Sequence, residues 1–257
     1  MYDWNEYPHD NAPFDYQGDA LQDSWEELHD GDLEPFPADE TLQEAWRCYH
    51  RGDFQQAVML ADEHGPGGHV VANKATGMYA THLEKGEKRR IDCFKSAIAR
   101  GEKAISEFPG EANSHHFYAF NLGRYSQSIS IVKALKQGIG GKILNALTRV
   151  LEIQPGHADA HTALGLYHAE IIDKIGKLIG GMTYGASEKK AIEHFKKAIR
   201  LAPLSPIAHI EYGNGLYMLH GDSRLDEVSD LYERATAFTP RDAVEKLDIE
   251  LALTEFE

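Results

Sequence analysis

The sequence is short of cysteine. Cys48 and Cys93 are the only two in 257 residues, and neither stands in a spacing used for metal ligation or dithiol chemistry. That excludes a disulfide scaffold and a cysteine zinc site. Both thiols read as reduced, half-buried groups of a cytoplasmic protein, although sequence alone leaves a bond between them open. No run of about eighteen apolar residues occurs, so no membrane-spanning helix is expected. The opening MYDWNEYPHD has no basic region and no apolar region, so it does not read as a secretory signal. Catalytic signatures are absent too: there is no HExxH, no GxSxG and no P-loop.

Basic residues are missing from one part of the chain. Residues 1–40 hold eight Asp and five Glu without a single Lys or Arg, whereas the remainder is close to neutral. The whole chain carries a net charge of -15, which repels phosphates and argues against a nucleic-acid partner. Residues 1–37 show no helical period, and aromatics (Tyr2, Trp4, Tyr7, Phe14, Tyr16, Trp25 and Phe36) are set among the acids. Two readings stay open: a disordered solvated arm, or an arm whose aromatics dock on the body or a partner. A short helix is possible over residues 21–28.

What is present is a repeat. In residues 185–219, Ala191, Phe195, Ala198 and Pro203 stand at spacings of four, three and five. This is the second half of a tetratricopeptide pattern, small–aromatic–small–proline. The alanines admit a neighbouring helix, Phe195 fills the space, and Pro203 stops the helix because it has no N–H to donate. Ser205 and Pro206 then read as the cap and first turn of the next helix, which carries Ile207, Ile210, Tyr212, Gly213 and Leu216. The same logic recurs along the chain. Ala45, Gly52, Phe54 and Ala57 mark a first pair, ended by the glycine-rich break at residues 64–69. Gly77, Tyr79, Ala97, Gly101, Ala104 and Pro109 mark a second, with Gly101 replacing the aromatic, so closer packing is expected there. Tyr118, Ala119, Leu122, Ile143, Leu147, Val150 and Pro155 mark a third. A fourth has Leu164 and Gly165, and a fifth has Val228, Tyr232 and Ala235.

Between Gly165 and Ala191 lie 26 residues where a plain repeat has about 12. The insertion, residues 170–187, carries Ile171, Ile172, Ile175, Leu178, Ile179 and Met182 at helical spacing. This predicts a lengthened first helix, stopped by Gly180, Gly181 and Gly185, with Ser187 capping the next. Thr239, Pro240 and Asp242 read as the start of a tail helix over residues 244–256. Val244, Leu247 and Leu251 form its capping stripe, and Ile249, Leu253 and Phe256 a second stripe without an assigned partner. The expected architecture is all-α: a tetratricopeptide-like right-handed superhelix of about five helix pairs with a long insertion in the fourth. The domain plan is an arm at 1–37, repeats at 38–240 and a capping helix at 241–257.

The stretches SHHFYAFNLGRYSQSIS from Ser114, ALTRVLEIQPGHADAHTALGLYHAEI from Ala146, the insertion ending YGAS, AIEHFKKAIRLAP and EYGNGLY carry a more particular likeness. Together they resemble a divergent tetratricopeptide family that includes the regulator of microtubule dynamics proteins and bacterial relatives similar to the T component of TRAP transporters. The resemblance implies a scaffold without settled chemistry.

Candidate sites follow from the register. The first helices of stacked pairs line an inner face. Projection places Asn113, His116, Phe120 and Arg124 of the third pair on it, with Asp159, Thr162, Leu166 and Glu170 of the fourth and Ile207, Ile210, Asn214 and Tyr217 of the fifth. Amide, aromatic and charge together suit a peptide or extended segment. His157, His161, His168 and Glu170 share a helix and invite a zinc reading. However, no third ligand is forced into range, and His161, His168 and His115 occupy core positions of the repeat, so no metal and no cofactor is expected. GIGGK at residues 138–142 reads as a glycine break between helices. Seven basic residues at 85–103, balanced by Glu84, Glu87, Asp92 and Glu102, read as a solvated face or as an acceptor for an acidic segment, the chain's own arm included. The leading reading is a non-enzymatic cytoplasmic adaptor for a protein segment. The alternatives are a small-ligand binder closed by the insertion helix and, last, a metal-dependent enzyme.

Overall fold

The computed structural model describes residues 3–256, with the side chains of 255 and 256 left aside; Tyr2 lies outside the described residues. All regular structure among them is helical. Two single turns, α1 (Ala20–Asp23) and α2 (Trp25–Leu28), precede α3 (Glu40–His50), α4 (Phe54–His64), α5 (His69–His82), α6 (Glu87–Glu107) and α7 (Ala112–Gln127). Then come α8 (Ile131–Lys136), α9 (Ile139–Ile153), α10 (Ala158–Ile175), α11 (Lys177–Tyr184), α12 (Glu188–Leu201), α13 (Pro206–His220), α14 (Leu225–Thr236) and α15 (Ala243–Phe256). No described helix is long and apolar enough to cross a membrane. The chain divides into two compact units: residues 1–29, 34–139 and 241–244 form one, and residues 30–33, 140–240 and 245–257 the other.

In the first unit α3 packs on α4, α4 on α5, α5 on α6, and α7 on both α5 and α6. The local causes are those of a helix pair. The Asp39 carboxylate accepts from Thr41 N at 2.9 Å and Leu42 N at 3.2 Å and so caps α3. Asp39→Ala should therefore cost about 1 kcal/mol, read as a lower urea midpoint at unchanged m-value. Gly52 turns the chain at φ +88°, and a Cβ there would strike the Tyr7 ring at 2.6 Å. Gly101 lies so close to α7 that an added Cβ would sit 3.0 Å from the Cβ of Tyr118, the close approach expected where glycine replaces the aromatic.

The N-terminal residues are part of this unit. Phe14, Leu21 and Trp25 are buried. Trp25 stacks on His29 at 4.0 Å, meets Phe36 and Trp46 edge-on, and donates its indole N–H to Glu34 O at 2.7 Å. Arg47 Nε donates to Tyr16 O at 2.9 Å, and the Tyr16 hydroxyl to Arg241 O at 2.5 Å. Asp242, read from sequence as an N-terminal acid of the tail helix, directly precedes α15 and meets His50 Nδ1 at 3.0 Å. The tail helix begins at Ala243, so Pro240 lies outside it.

In the second unit α10 packs on α12 and α13, α12 on α13, and α13 on α14. Ser187, His157 and Ser205 cap α12, α10 and α13, with Pro206 in the first turn of α13. Ala191, Phe195 and Ala198 are fully buried. They join Ile210, Tyr212, Leu216, Val228, Leu231, Tyr232, Ala235 and Ala252 in the core. The insertion departs from expectation. Gly176 at φ +83° breaks the long helix, and α11 follows as a separate element ended by Gly185 at φ +63°. The break precedes the glycines read from sequence because Gly176, unlike Gly180 and Gly181, takes a positive φ that residues with a β-carbon resist. Leu178, Ile179 and Met182 consequently face solvent at 75%, 58% and 82% exposure. On α15, Val244, Leu247, Ile249 and Ala252 are buried but Leu251 and Leu253 are exposed. The stripe read through Leu251 is thus replaced by one through Asp248 and Ala252.

Candidate functional site

Helices α4, α5 and α6 enclose a cavity of about 510 Å³ in the first unit. Its walls follow from helical spacing. Gln55, Val58 and Asp62 fall on one face of α4, and Arg89, Cys93, Ser96 and Arg100 on one face of α6. Tyr79 of α5 forms the floor with Thr76. Two ion pairs frame the mouth: Arg100 with Asp62 at 3.2 Å and Arg89 with Glu84 at 3.2 Å. Glu84 is buried and accepts from the Tyr79 hydroxyl at 2.9 Å and from Gly86 N at 2.7 Å. Burial pushes the Cys93 thiol up to about 11, with Glu84 and Asp92 adding to it. Cys48 is raised to about 12, again mainly by burial. Neither is a thiolate at neutral pH, so neither is an activated nucleophile.

The remaining wall is Trp4. Its ring lies 4.0 Å from that of Tyr79 at an interplanar angle of 19°. The backbone beside it is held as well: Trp4 N donates to Gln55 Oε1 at 3.1 Å and Asn5 N to the Tyr79 hydroxyl at 3.3 Å. Asn5 Nδ2 donates to Leu83 O at 2.7 Å. The basic stretch at 85–103, readable from sequence as an acceptor for an acidic segment, contributes Lys88, Arg89 and Arg100 to this cavity. Sequence reasoning did not find the cavity itself. Its α4 and α5 walls are 24 residues apart, Gln55 to Tyr79, and only the outward-facing periodicity of α6 hinted at it.

The first-helix residues read from sequence divide between the units. In the first, Asn113 is buried and donates to Glu34 Oε2 at 2.6 Å. His116 is buried, and Phe120 and Arg124 are half-buried, the guanidinium 5.4 Å above the Phe120 ring. Nearby on the first helices, Lys74 lies 5.0–5.6 Å from the rings of Trp46, Tyr49 and Phe117, a cation held by aromatic faces. Residues 25–29 and 34–37 run over this surface. Besides the Glu34 contact, Gln43 Nε2 donates to Pro37 O at 2.9 Å.

In the second unit the structure keeps Asp159, Thr162, Leu166 and Glu170 on α10, but their surroundings differ. Asp159 N donates to Gly31 O at 3.0 Å, and the Thr162 hydroxyl turns back to Ala158 O. Glu170 pairs with Lys174 at 3.4 Å. Ile210 belongs to the core, not to an open face. Leu166 packs against that core, Ile207 is half-buried, and Asn214 bonds to Glu211 and Tyr232. Tyr217 is 52% exposed.

The histidines read for zinc have other partners. His157 Nδ1 accepts from Ala160 N at 3.1 Å and caps α10. His161 Nε2 lies 3.3 Å from Pro155 O, and His115 Nε2 lies 3.1 Å from Pro109 O at the equivalent place in the preceding repeat. His161 Nδ1 meets His194 Nδ1 at 2.8 Å, and the His168 ring stands 5.9 Å from that of His194. Among the described residues no group of three or more ligating side chains could hold a metal. The residues 138–142 form a turn at Gly138, φ +63°, leading into α9.

Comparison with known proteins bears on the fold and the family. Among solved structures, the thermophilic TPR protein TTC0263 of Thermus thermophilus is similar over 83% of this chain and 97% of its own, at 17% identity and a TM-score of 0.59. Two monomeric mutants of IFIT1, one with Gppp-AAAA and one with m7Gppp-AAAA, align over 92% of this chain and 68% of theirs. Their identities are 15% and 16% and both TM-scores are 0.37, too low to carry an argument. No curated protein matches significantly. The model of the Regulator of microtubule dynamics protein 1-3 family matches residues 60–210. That stretch is more than half of a chain whose helices pair as tetratricopeptide repeats do, and the protein therefore belongs to the regulator of microtubule dynamics protein 1-3 family.

Proposed function

We propose that the protein is a non-catalytic cytoplasmic scaffold that binds an extended segment of a partner protein on the faces of its first helices. One observation carries this reading. In the first unit that surface already holds polypeptide, the chain's own residues 25–29 and 34–37, through amide and aromatic side chains: Asn113 to Glu34, Gln43 to Pro37, and Trp46 to Trp25. A face built this way recognises backbone and planar groups, as peptide-binding repeats do. The two thiols held protonated by burial agree with a role without catalysis. The small-ligand alternative is less favoured, because α11 turns Leu178, Ile179 and Met182 outward. Those three side chains offer a further apolar contact for a protein partner.

The proposal assigns contact to Phe120 and Tyr217, the aromatic residues of the first-helix sets that burial leaves accessible. A photo-crosslinking amino acid at either position should capture one discrete protein. Phe120→Ala together with Tyr217→Ala should weaken binding of that protein about tenfold or more, the loss of one or two aromatic anchors. Equal binding by the double variant would refute the assignment.

A further inference from the structure

We infer that the cavity between α4, α5 and α6 is a receptor for an acidic linear segment with an aromatic anchor, and that the chain's own Trp4 occupies its rim as a displaceable stand-in. This deepens the scaffold reading and rests on it, but it concerns a different surface from Phe120 and Tyr217.

The chemistry of the occupant is on view in the arm. An indole stacks on Tyr79, and two successive backbone N–H groups are accepted by Gln55 and the Tyr79 hydroxyl. Backbone recognition of this kind is indifferent to the identity of the neighbouring side chains. Asp3, Asn5, Glu6, Pro8 and Asp10 are exposed, so at the cavity the arm is held by the Trp4 ring and three hydrogen bonds, with the Tyr7 ring packed beyond it on Gly52. About 510 Å³ of open space remains beside the indole, enough for further side chains of a longer or better-fitting segment.

The lining is balanced, with Asp62, Glu84 and Asp92 against Lys88, Arg89 and Arg100, so the sign of the partner rests on the one cation without a described ion-pair partner. Of the basic residues on this face, Arg89 and Arg100 are bound to Glu84 and Asp62, and Lys95 and Lys103 pair along their own helix with Asp92 and Glu107. Lys88 lines the cavity and has no described ion-pair partner. An incoming carboxylate next to the anchor would meet it. The tethered arm competes at an effective concentration on the order of millimolar, so an untethered segment of similar sequence is masked until Trp4 is removed.

The probe is a fluorescein-labelled synthetic peptide of residues 3–12, DWNEYPHDNA, titrated into the full chain and followed by anisotropy at low salt. Trp4→Ala should bind it at least tenfold more tightly than the unaltered chain. Adding Lys88→Glu to Trp4→Ala should reverse most of that gain, and a probe with alanine in place of its tryptophan should not bind. Adding Phe120→Ala and Tyr217→Ala to Trp4→Ala should change nothing, which separates failure of this receptor from failure of the first-helix reading. The inference is overturned if Trp4→Ala and the unaltered chain bind alike, if Lys88→Glu has no effect, or if the probe binds without its indole. Circular dichroism of each variant verifies the fold; Lys88 is exposed and Trp4 half-buried.

Discussion

Phe195→Ala should lower the unfolding free energy by about 3–5 kcal/mol, a large share of the 5–15 kcal/mol by which a domain is ordinarily stable. Phe195 is fully buried in the core of the second unit, and its ring is received by two glycines. A Cβ on Gly165 of α10 would lie 2.6 Å from Phe195 Cδ1, and one on Gly215 of α13 would collide with Cε2 and Cζ. Tyr212 stacks on the ring at 5.2 Å. Three helices thus meet around one side chain, and removing it leaves a void that rigid backbones cannot close. The converse substitutions act on the same contact. Gly165→Val and Gly215→Val should each cost about 1–3 kcal/mol or more by overpacking. Combining Gly215→Ala with Phe195→Leu should cost less than the two single losses added, because the smaller side chain makes room for the new methyl. Urea unfolding followed at 222 nm and pH 7.5 measures all of these. Gly110→Ala, where a Cβ meets nothing within 4 Å, is the control and should stay within about 0.5 kcal/mol. A cost below about 1 kcal/mol for Phe195→Ala would show that the three-helix contact is not what holds this unit.

That contact also shows what the sequence could disclose. Ala191, Phe195, Ala198, Gly165 and Pro203 follow a repeat whose spacings encode helix pairing directly, so the all-α class and the element order were legible. Groups whose partners lie far along the chain were not. His161 and His194 are 33 residues apart and meet only because α10 packs on α12. The same holds for Asp242 and His50, which are 192 residues apart. Residues 1–37 left two readings open because they contain no periodic element. Leu21 and Trp25 sit in single turns whose stability comes from tertiary burial and not from helix propensity. The insertion was legible as helix but its break was not. A glycine's positive φ is set by the path of the chain, and Gly176, Gly180, Gly181 and Gly185 look alike in sequence. Of the projected residues, Ile210 lies in the core because α13 buries residues around nearly its whole circumference, from Ala208 through Leu216, which a single-face projection does not register. The cavity at Tyr79 needed three helices and Trp4 in place before it existed at all.

Acid should unfold the second unit through its paired histidines. Burial pushes His161 down to about 4, with Lys197 the next cause, and His168 down to about 4, with His194 next. His194 is lowered as well, first by burial and then by Lys197. Hydrogen-bond direction explains why a proton is unwelcome. Pro155 O can only accept, so His161 carries its hydrogen on Nε2 and its Nδ1 is an acceptor for His194 Nδ1–H. Once both His161 and His194 are protonated, two N–H groups are set against each other at 2.8 Å. The groups facing the cluster reinforce this: Lys190, Lys197 and Arg200 are cationic, and Glu193 alone opposes them. The sign follows from these depressed values. In the unfolded chain the histidines titrate near 6.5, so between about 6.5 and 4 the unfolded state binds more protons than the folded one, and stability falls as pH falls. The full contribution is present above about 6.5 and is lost by about 4, with each of His161 and His168 accounting for on the order of 3 kcal/mol. The two contributions do not simply add, because both sites interact with His194. Urea midpoints measured from pH 7.5 to 4.5 should drop steeply below 6.5. His161→Gln with His168→Gln should flatten that slope whatever it does to stability at pH 7.5, since glutamine takes up no proton. An unchanged slope in the double variant would locate the acid sensitivity elsewhere and remove the histidine cluster as its cause.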